Sequence, residues 1–233
     1  MKKFWNWAET EDGRTLYFDG YIAQDSWLDD DITPKKFKAE LTSGTGNISV
    51  WLNSPGGDVF AASQIYTMLK EYEGKVTVKI DGIAASAASV IAMAGDEIFM
   101  SPVACIMVHN PSTVIFGEAA DLQSGIKMLQ EIKESIINAY EQRTGLPRSE
   151  ISSMMDAEAW FSAQKAVELG FADNNLYAPQ QAAAAEGFIF DRMTVTNALI
   201  RKLPKAKLEE SEPAVQPGTT HQELLTRLNL LKQ

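Results

Sequence analysis

The chain holds two histidines, His109 and His221, so an imidazole base inside a folded domain narrows quickly to His109. His109 directly follows the apolar run Cys105-Ile106-Met107-Val108 and precedes Asn110-Pro111, where the proline forces the chain out of regular structure and exposes the end of the strand. Strand ends are where parallel α/β sheets place their sites. A lone histidine is also an ordinary structural residue, so it needs a chemical partner. The segment Gly82-Ile83-Ala84-Ala85-Ser86-Ala87-Ala88-Ser89 offers one. It joins a strand-like run to the apolar stretch VIAMAG, a buried helix, which sets Ser86 at or near a helix start. There, free N–H groups and the positive end of the helix dipole favour an oxyanion and lower the cost of ionising a hydroxyl. The plain alternative is a serine N-cap with alanines for close helix packing. A third segment, Asn53-Ser54-Pro55-Gly56-Gly57-Asp58, brings backbone N–H groups to another helix start, half of an oxyanion hole or simply a tight turn.

These segments need elements to hold them. Strand-like runs lie at Thr15–Ile22, Asn47–Leu52, Val76–Ile80, Glu97–Met100 and Cys105–Val108, rich in β-branched and apolar residues. Helical runs are expected at Thr33–Leu41, Asp58–Tyr72, Ser86–Gly95, Glu118–Arg143 and Ala163–Leu169, the first with Thr33 as N-cap and Pro34 at the first helical position. Alternation of strand and helix predicts an α/β fold with parallel strands and right-handed crossovers. In the helix after Gly117, Leu122, Ile126, Leu129, Ile132, Ile136 and Tyr140 step by three or four. That stripe either packs on its own domain or projects to meet another subunit.

The bulk composition sets outer bounds. With 233 residues, 45% hydrophobic and 22% charged, the chain can fill a core without disulfides or metal. Its 21 Lys+Arg against 31 Asp+Glu leave a net charge of -10, which repels nucleic acid and anionic membranes. The single cysteine, Cys105, excludes an internal disulfide framework and fits a reducing compartment. The start, MKKFWNWAETEDG, has no apolar run of a signal peptide, and the small-and-apolar stretch Ile83–Gly95 is too short to span a bilayer. A soluble, cytoplasmic protein is expected. Beyond Tyr177 the composition changes, giving expected boundaries of 1–177 for the main domain, 178–203 for a helical extension, and 204–233 for a proline-bearing flexible linker with a short leucine-rich terminal helix.

Taken together, Leu52–Gly57, Gly82–Ser86, Met107–Pro111 and a later segment (Trp160, Ser162, Ala163, Ala166–Glu168, Gly170, Asp173) resemble, in order and spacing, the Clp protease proteolytic subunit family. The resemblance runs from about Leu16 to Asp173. It implies a Clp/crotonase-like α/β superhelix of repeated ββα units with a long projecting helix, although no internal repeat is visible in the sequence. It also implies a serine endopeptidase working without cofactor or metal, assembled as a homo-oligomer of stacked rings, acting on protein or peptide substrates. Carried over residue by residue, Ser86 matches the nucleophile, His109 the base, and Gly57 and Ala87 the backbone donors to the oxyanion. Anchored on Ser162-Ala163, the family's catalytic aspartate falls on Glu158, with Asp156 the alternative acid two residues earlier. The chain departs from the housekeeping enzyme in three places. It lacks an obvious counterpart of the axial loops that contact an ATPase, it has Ser112-Thr113-Val114-Ile115-Phe116 where the family is glycine-rich, and its tail is extra. These departures resemble the phage and prophage branch that trims capsid precursors, and they argue against an ATPase partner. A crotonase-type acyl-CoA enzyme would share the fold and the oxyanion donors but generally uses carboxylates where this chain has Ser86 and His109. A catalytically inactive ring or scaffold subunit is the non-enzymatic alternative, kept open by the substituted acid.

Overall fold

The computed structural model describes residues 5–10, 13–22 and 34–177. An eight-stranded mixed sheet runs through them. Strand β1 (Trp5–Thr10) pairs antiparallel with β2 (Gly13–Asp19), and β2, β3 (Ile48–Ser54), β4 (Val76–Ala85), β5 (Glu97–Met100) and β8 (Asn174–Asn175) follow as parallel neighbours. The central strand β3 buries Ile48, Val50 and Leu52, and Ser49 beside them, as expected of a parallel strand covered on both faces. β4 is the branch point. Its first half, Thr77–Ile80, pairs with β5, while its last residues, Ile83–Ala85, pair in parallel with β6 (Cys105–Val108). β6 in turn takes β7 (Ala159–Ser162) as an antiparallel partner.

The helices cover this sheet according to their apolar spacing. α1 (Pro34–Leu41) buries Phe37 and Leu41, and Phe37 meets the Trp5 ring edge-on at 5.2 Å. α2 (Val59–Lys70) buries Ala61, Ala62, Ile65 and Leu69, and the Asp58 carboxylate caps it by accepting from the Ala61 N–H at 2.8 Å. α3 (Ala87–Ala92) is buried at every position, which is why its residues are small or purely apolar apart from Ser89. α4 (Ala119–Thr144) opens on a reciprocal Glu118/Asp121 capping box and ends at Gly145; α5 (Arg148–Asp156) and α6 (Ala163–Glu168) follow. The apolar stripe of α4 divides between two environments. Ile136, Ile137, Ala139 and Tyr140 are buried in the domain and Ile132 packs half-buried against it, whereas Leu122 and Ile126 are 46% and 58% exposed. Gly125 is covered by Ile115, which occupies the space a side chain would need, so the segment after Pro111 lies back along the helix.

Several elements differ from the sequence expectation for identifiable reasons. The strand expected over Thr15–Ile22 stops at Asp19, and Ile22 instead makes an isolated bridge to Gly57. Gly82–Ala85, expected as a connection, is strand, because Ala84 finds Ser54 of β3 on one side and Ile106 of β6 on the other. The helix expected from Ser86 to Gly95 is the shorter α3. β1 breaks its alternation after Trp7 and β7 and β8 are very short, so none of them has a clear periodic signal of its own; α5 likewise went unanticipated. Thr33, His221 and the segments 178–203 and 204–233 lie outside the described residues.

Asp173 ties the far edge of this fold together. Its carboxylate accepts from the Ile98 N–H at 2.7 Å and from the Arg143 guanidinium at the end of α4, while its own N–H donates to the Ile98 carbonyl at 2.8 Å. Asp173→Ala should lower the unfolding free energy by about 1–2 kcal/mol, since charge-assisted bonds are lost from a half-exposed site. Urea denaturation checks this; an unchanged midpoint would mean that the contact contributes nothing.

Candidate active site

The fork in β4 positions the serine. At its end the Ser86 N–H donates to the Met107 carbonyl of β6 at 2.9 Å, continuing the parallel ladder one residue past Ala85. Ser86 then turns sharply into α3 with φ 55° and ψ -128°. Because the ladder aligns Ala85 with Met107, the residue two beyond Met107 emerges beside the serine. That residue is His109, and the Ser86 Oγ lies 2.6 Å from its Nε2. A hydroxyl that donates to Nε2 requires the neutral imidazole to carry its proton on Nδ1.

The second ladder brings the start of β7 beside the end of β6. β6 and β7 are antiparallel with Val108 opposite Ala159, so His109 and Glu158 lie at the neighbouring ends of these two strands. Glu158 has φ 50°. Among the described residues, Ser86 and Glu158 are the two non-glycine residues with positive φ, a conformation that costs free energy and persists only where surrounding contacts impose it. Asp156 is placed differently. Its Oδ1 accepts from Lys133 Nζ at 2.6 Å and from Asn110 Nδ2 at 2.8 Å. Lys133 above all, then the Asn110 amide, hold its carboxyl below the usual carboxylate range. The structure thus brings Ser86, His109 and Glu158 to adjacent strand ends and commits Asp156 to Lys133 and to the residue after the histidine.

The Pro-Gly-Gly turn closes the site from the side of β3. A side chain on Gly56 would lie 2.7 Å from both the Ala85 carbonyl and the Ser86 Cβ, so only glycine allows this approach. Gly57, at φ 147°, is pressed against the Ile22 backbone where a Cβ would overlap the carbonyl oxygen. The turn is stiffened by Ser54, whose Oγ donates to the Gly20 carbonyl at 2.6 Å and accepts from the Gly56 N–H at 3.1 Å. A cavity of about 230 Å³ opens between these pieces, lined by Gly57, Ala87, Ser86 and His109 and walled by apolar side chains that include Val90, Ile132 and Ile136. Sequence reasoning missed Lys133 and Ser54. Both look like ordinary surface or turn residues until the strands are paired. Among the described residues no cluster of three or more His, Cys, Asp or Glu could hold a metal ion, and no helix is long and apolar enough to cross a membrane.

An imidazole poised on a serine hydroxyl, beside glycine-rich backbone and an apolar cavity, is equipped for acyl transfer. Comparison with known proteins places the chain in a family. The family model described as Clp protease matches residues 22–177. The chain is 34% identical over 170 residues to "ATP-dependent Clp protease proteolytic subunit 1" of Chlamydia muridarum, covering 71% of this chain and 88% of that one. It is 32% identical over 170 residues to the protein of the same name from Chlamydia trachomatis serovar D, with the same coverage. It is 31% identical over 154 residues to "ATP-dependent Clp protease proteolytic subunit" of Porphyromonas gingivalis, covering 63% and 69%. With the mixed α/β architecture of the Clp/crotonase-like class around a site assembled at its strand ends, the chain belongs to the Clp protease family of peptidases.

Proposed function

We propose that this chain is a serine endopeptidase whose nucleophile is Ser86, whose general base is His109 and whose orienting acid is Glu158. The observation that carries the reading is the 2.6 Å contact between Ser86 Oγ and His109 Nε2. His109 takes the hydroxyl proton as Oγ attacks the scissile carbonyl, and the carbonyl oxygen gains negative charge. The N–H groups of Gly57 and Ala87 stabilise that charge from the cavity wall. The imidazolium then delivers its proton to the leaving amine, and water reverses the same steps to free the enzyme. Glu158 holds the Nδ1 proton and stabilises the imidazolium. Hydrolysis of short peptides on this scheme uses side chains and backbone of this chain alone and needs no ATPase.

Ser86→Ala should reduce peptide hydrolysis by about 10⁴–10⁶-fold with the fold retained, and His109→Ala nearly as much, because members of such a triad fail as a unit. Turnover that persists in pure Ser86→Ala protein, with circular dichroism unchanged, refutes the nucleophile. For the acid, Glu158→Gln should slow acylation by about 10³–10⁴-fold by favouring the wrong imidazole tautomer, while Asp156→Asn leaves the rate within about 5-fold. Pre-steady-state release of a chromogenic leaving group reads both; the reverse ranking transfers the role to Asp156.

The enzyme works, on this proposal, as a ring-forming homo-oligomer. The support is the division of the α4 stripe, whose first half leaves Leu122 and Ile126 exposed, while Val114 and Phe116 in the segment before the helix are 77% and 90% exposed. A substrate fitting the departures of this chain is a precursor protein of a phage-type capsid, met by the apolar 112–116 segment beside the site. Ile126→Asp should lower assembly state and proteolysis together, since a charge in an apolar contact lacks a partner. A fully active, monodisperse monomer in light scattering refutes assembly through this face.

A further inference from the structure

One buried polar pair next to the nucleophile has no part in the triad. Ser89 is fully buried on α3 and Tyr140 is 1% exposed on α4. The Ser89 hydroxyl donates to the Ser86 carbonyl at 2.6 Å, which uses its only proton. At 2.8 Å from the Tyr140 hydroxyl, the Ser89 oxygen must therefore accept from the tyrosine. The bonds form a directed chain from Tyr140 O–H to Ser89 O–H to Ser86 C=O, each polarising the next. Burial pushes the Tyr140 phenol well above its ordinary value, so it stays protonated and remains a donor.

The carbonyl at the end of this chain shares its peptide plane with the Ala87 N–H. The described peptide bonds are all trans. In a trans peptide the C=O and N–H point in opposite directions, so pinning one aims the other. The Ser86 carbonyl is held on the helix side by Ser89, and Ala87 lines the cavity that contains the serine. We propose that Ser89 and Tyr140 are positioning residues that lock the Ser86–Ala87 peptide plane, so that the Ala87 N–H stays aimed at the developing oxyanion. The pair also explains a tyrosine hydroxyl in a core where phenylalanine would fill the same space against Phe171, 5.6 Å away between ring centres. The inference rests on Ser86 being the nucleophile.

A fluorophosphonate probe forms a tetrahedral adduct on an active serine and reports this alignment. With full-length protein, kinact and KI are measured for the unaltered chain, Ser89→Ala, Tyr140→Phe and the double variant, alongside melting temperatures. Loss of a neutral hydrogen bond supporting the transition state predicts that kinact falls about 10-fold in Ser89→Ala and about 3-fold in Tyr140→Phe, with KI within about 2-fold of its starting value. The double variant should match Ser89→Ala, because the tyrosine acts through the serine. A KI that rises while kinact holds would make the pair a matter of cavity shape and overturn the proposal, as would additive losses. Tyr140→Phe keeps the ring packing, so it remains decisive should Ser89→Ala fail to fold; an unchanged kinact there overturns the relay. If the unaltered protein is not labelled at Ser86, the serine peptidase reading falls with it; labelling that is equal in all variants removes the relay alone.

Discussion

The parallel ladder that joins the last residues of β4 to β6 is the constraint on which the site depends. It is only a few residues long, yet it aligns Ala85 with Met107 and so delivers Ser86 and His109 to one place. The sheet pays for this alignment by splitting β4 between two neighbours, β5 below and β6 above. The tight approach of Gly56 and the complete burial of α3 follow from the same fork, because space beside the branching strand is scarce.

The antiparallel β6–β7 pairing has the complementary role. Glu158 and Asp156 lie on the approach to the same short strand, but Glu158 directly precedes β7, next to the strand end that carries His109, whereas Asp156 closes α5 against Lys133 and Asn110. The left-handed turn at Glu158 is the local cost of changing direction between α5 and β7 while keeping that pairing.

Much of this was legible in the sequence, and unevenly so. Ser86, His109 and Gly57 announced themselves because their chemistry and local context coincide: a small-residue helix start, a strand end before proline, and a Pro-Gly-Gly turn. The long helix was legible from its spacing, although only the structure divides its stripe into a buried and an exposed half. β7 was not legible, since four residues cannot show a period, so the sequence does not reveal that Asp156 closes a helix while Glu158 directly precedes a strand. The Ser89–Tyr140 pair was hidden for a different reason. Each residue alone reads as core, and their contact exists only after α4 has docked over α3.

The strand pairings also carry a consequence for biosynthesis. Ser86 and His109 lie in the middle of the chain, but β7, which pairs with the strand leading into His109, is made well after them. Long-range pairings of this kind are among the later events in folding, since their loop-closure cost must be met before they are rewarded. A nascent chain still lacking β7 has a serine and an imidazole without that pairing. On the proposed triad, the region around His109 is therefore complete only once the last third of the described domain has been made and β7 has paired with β6.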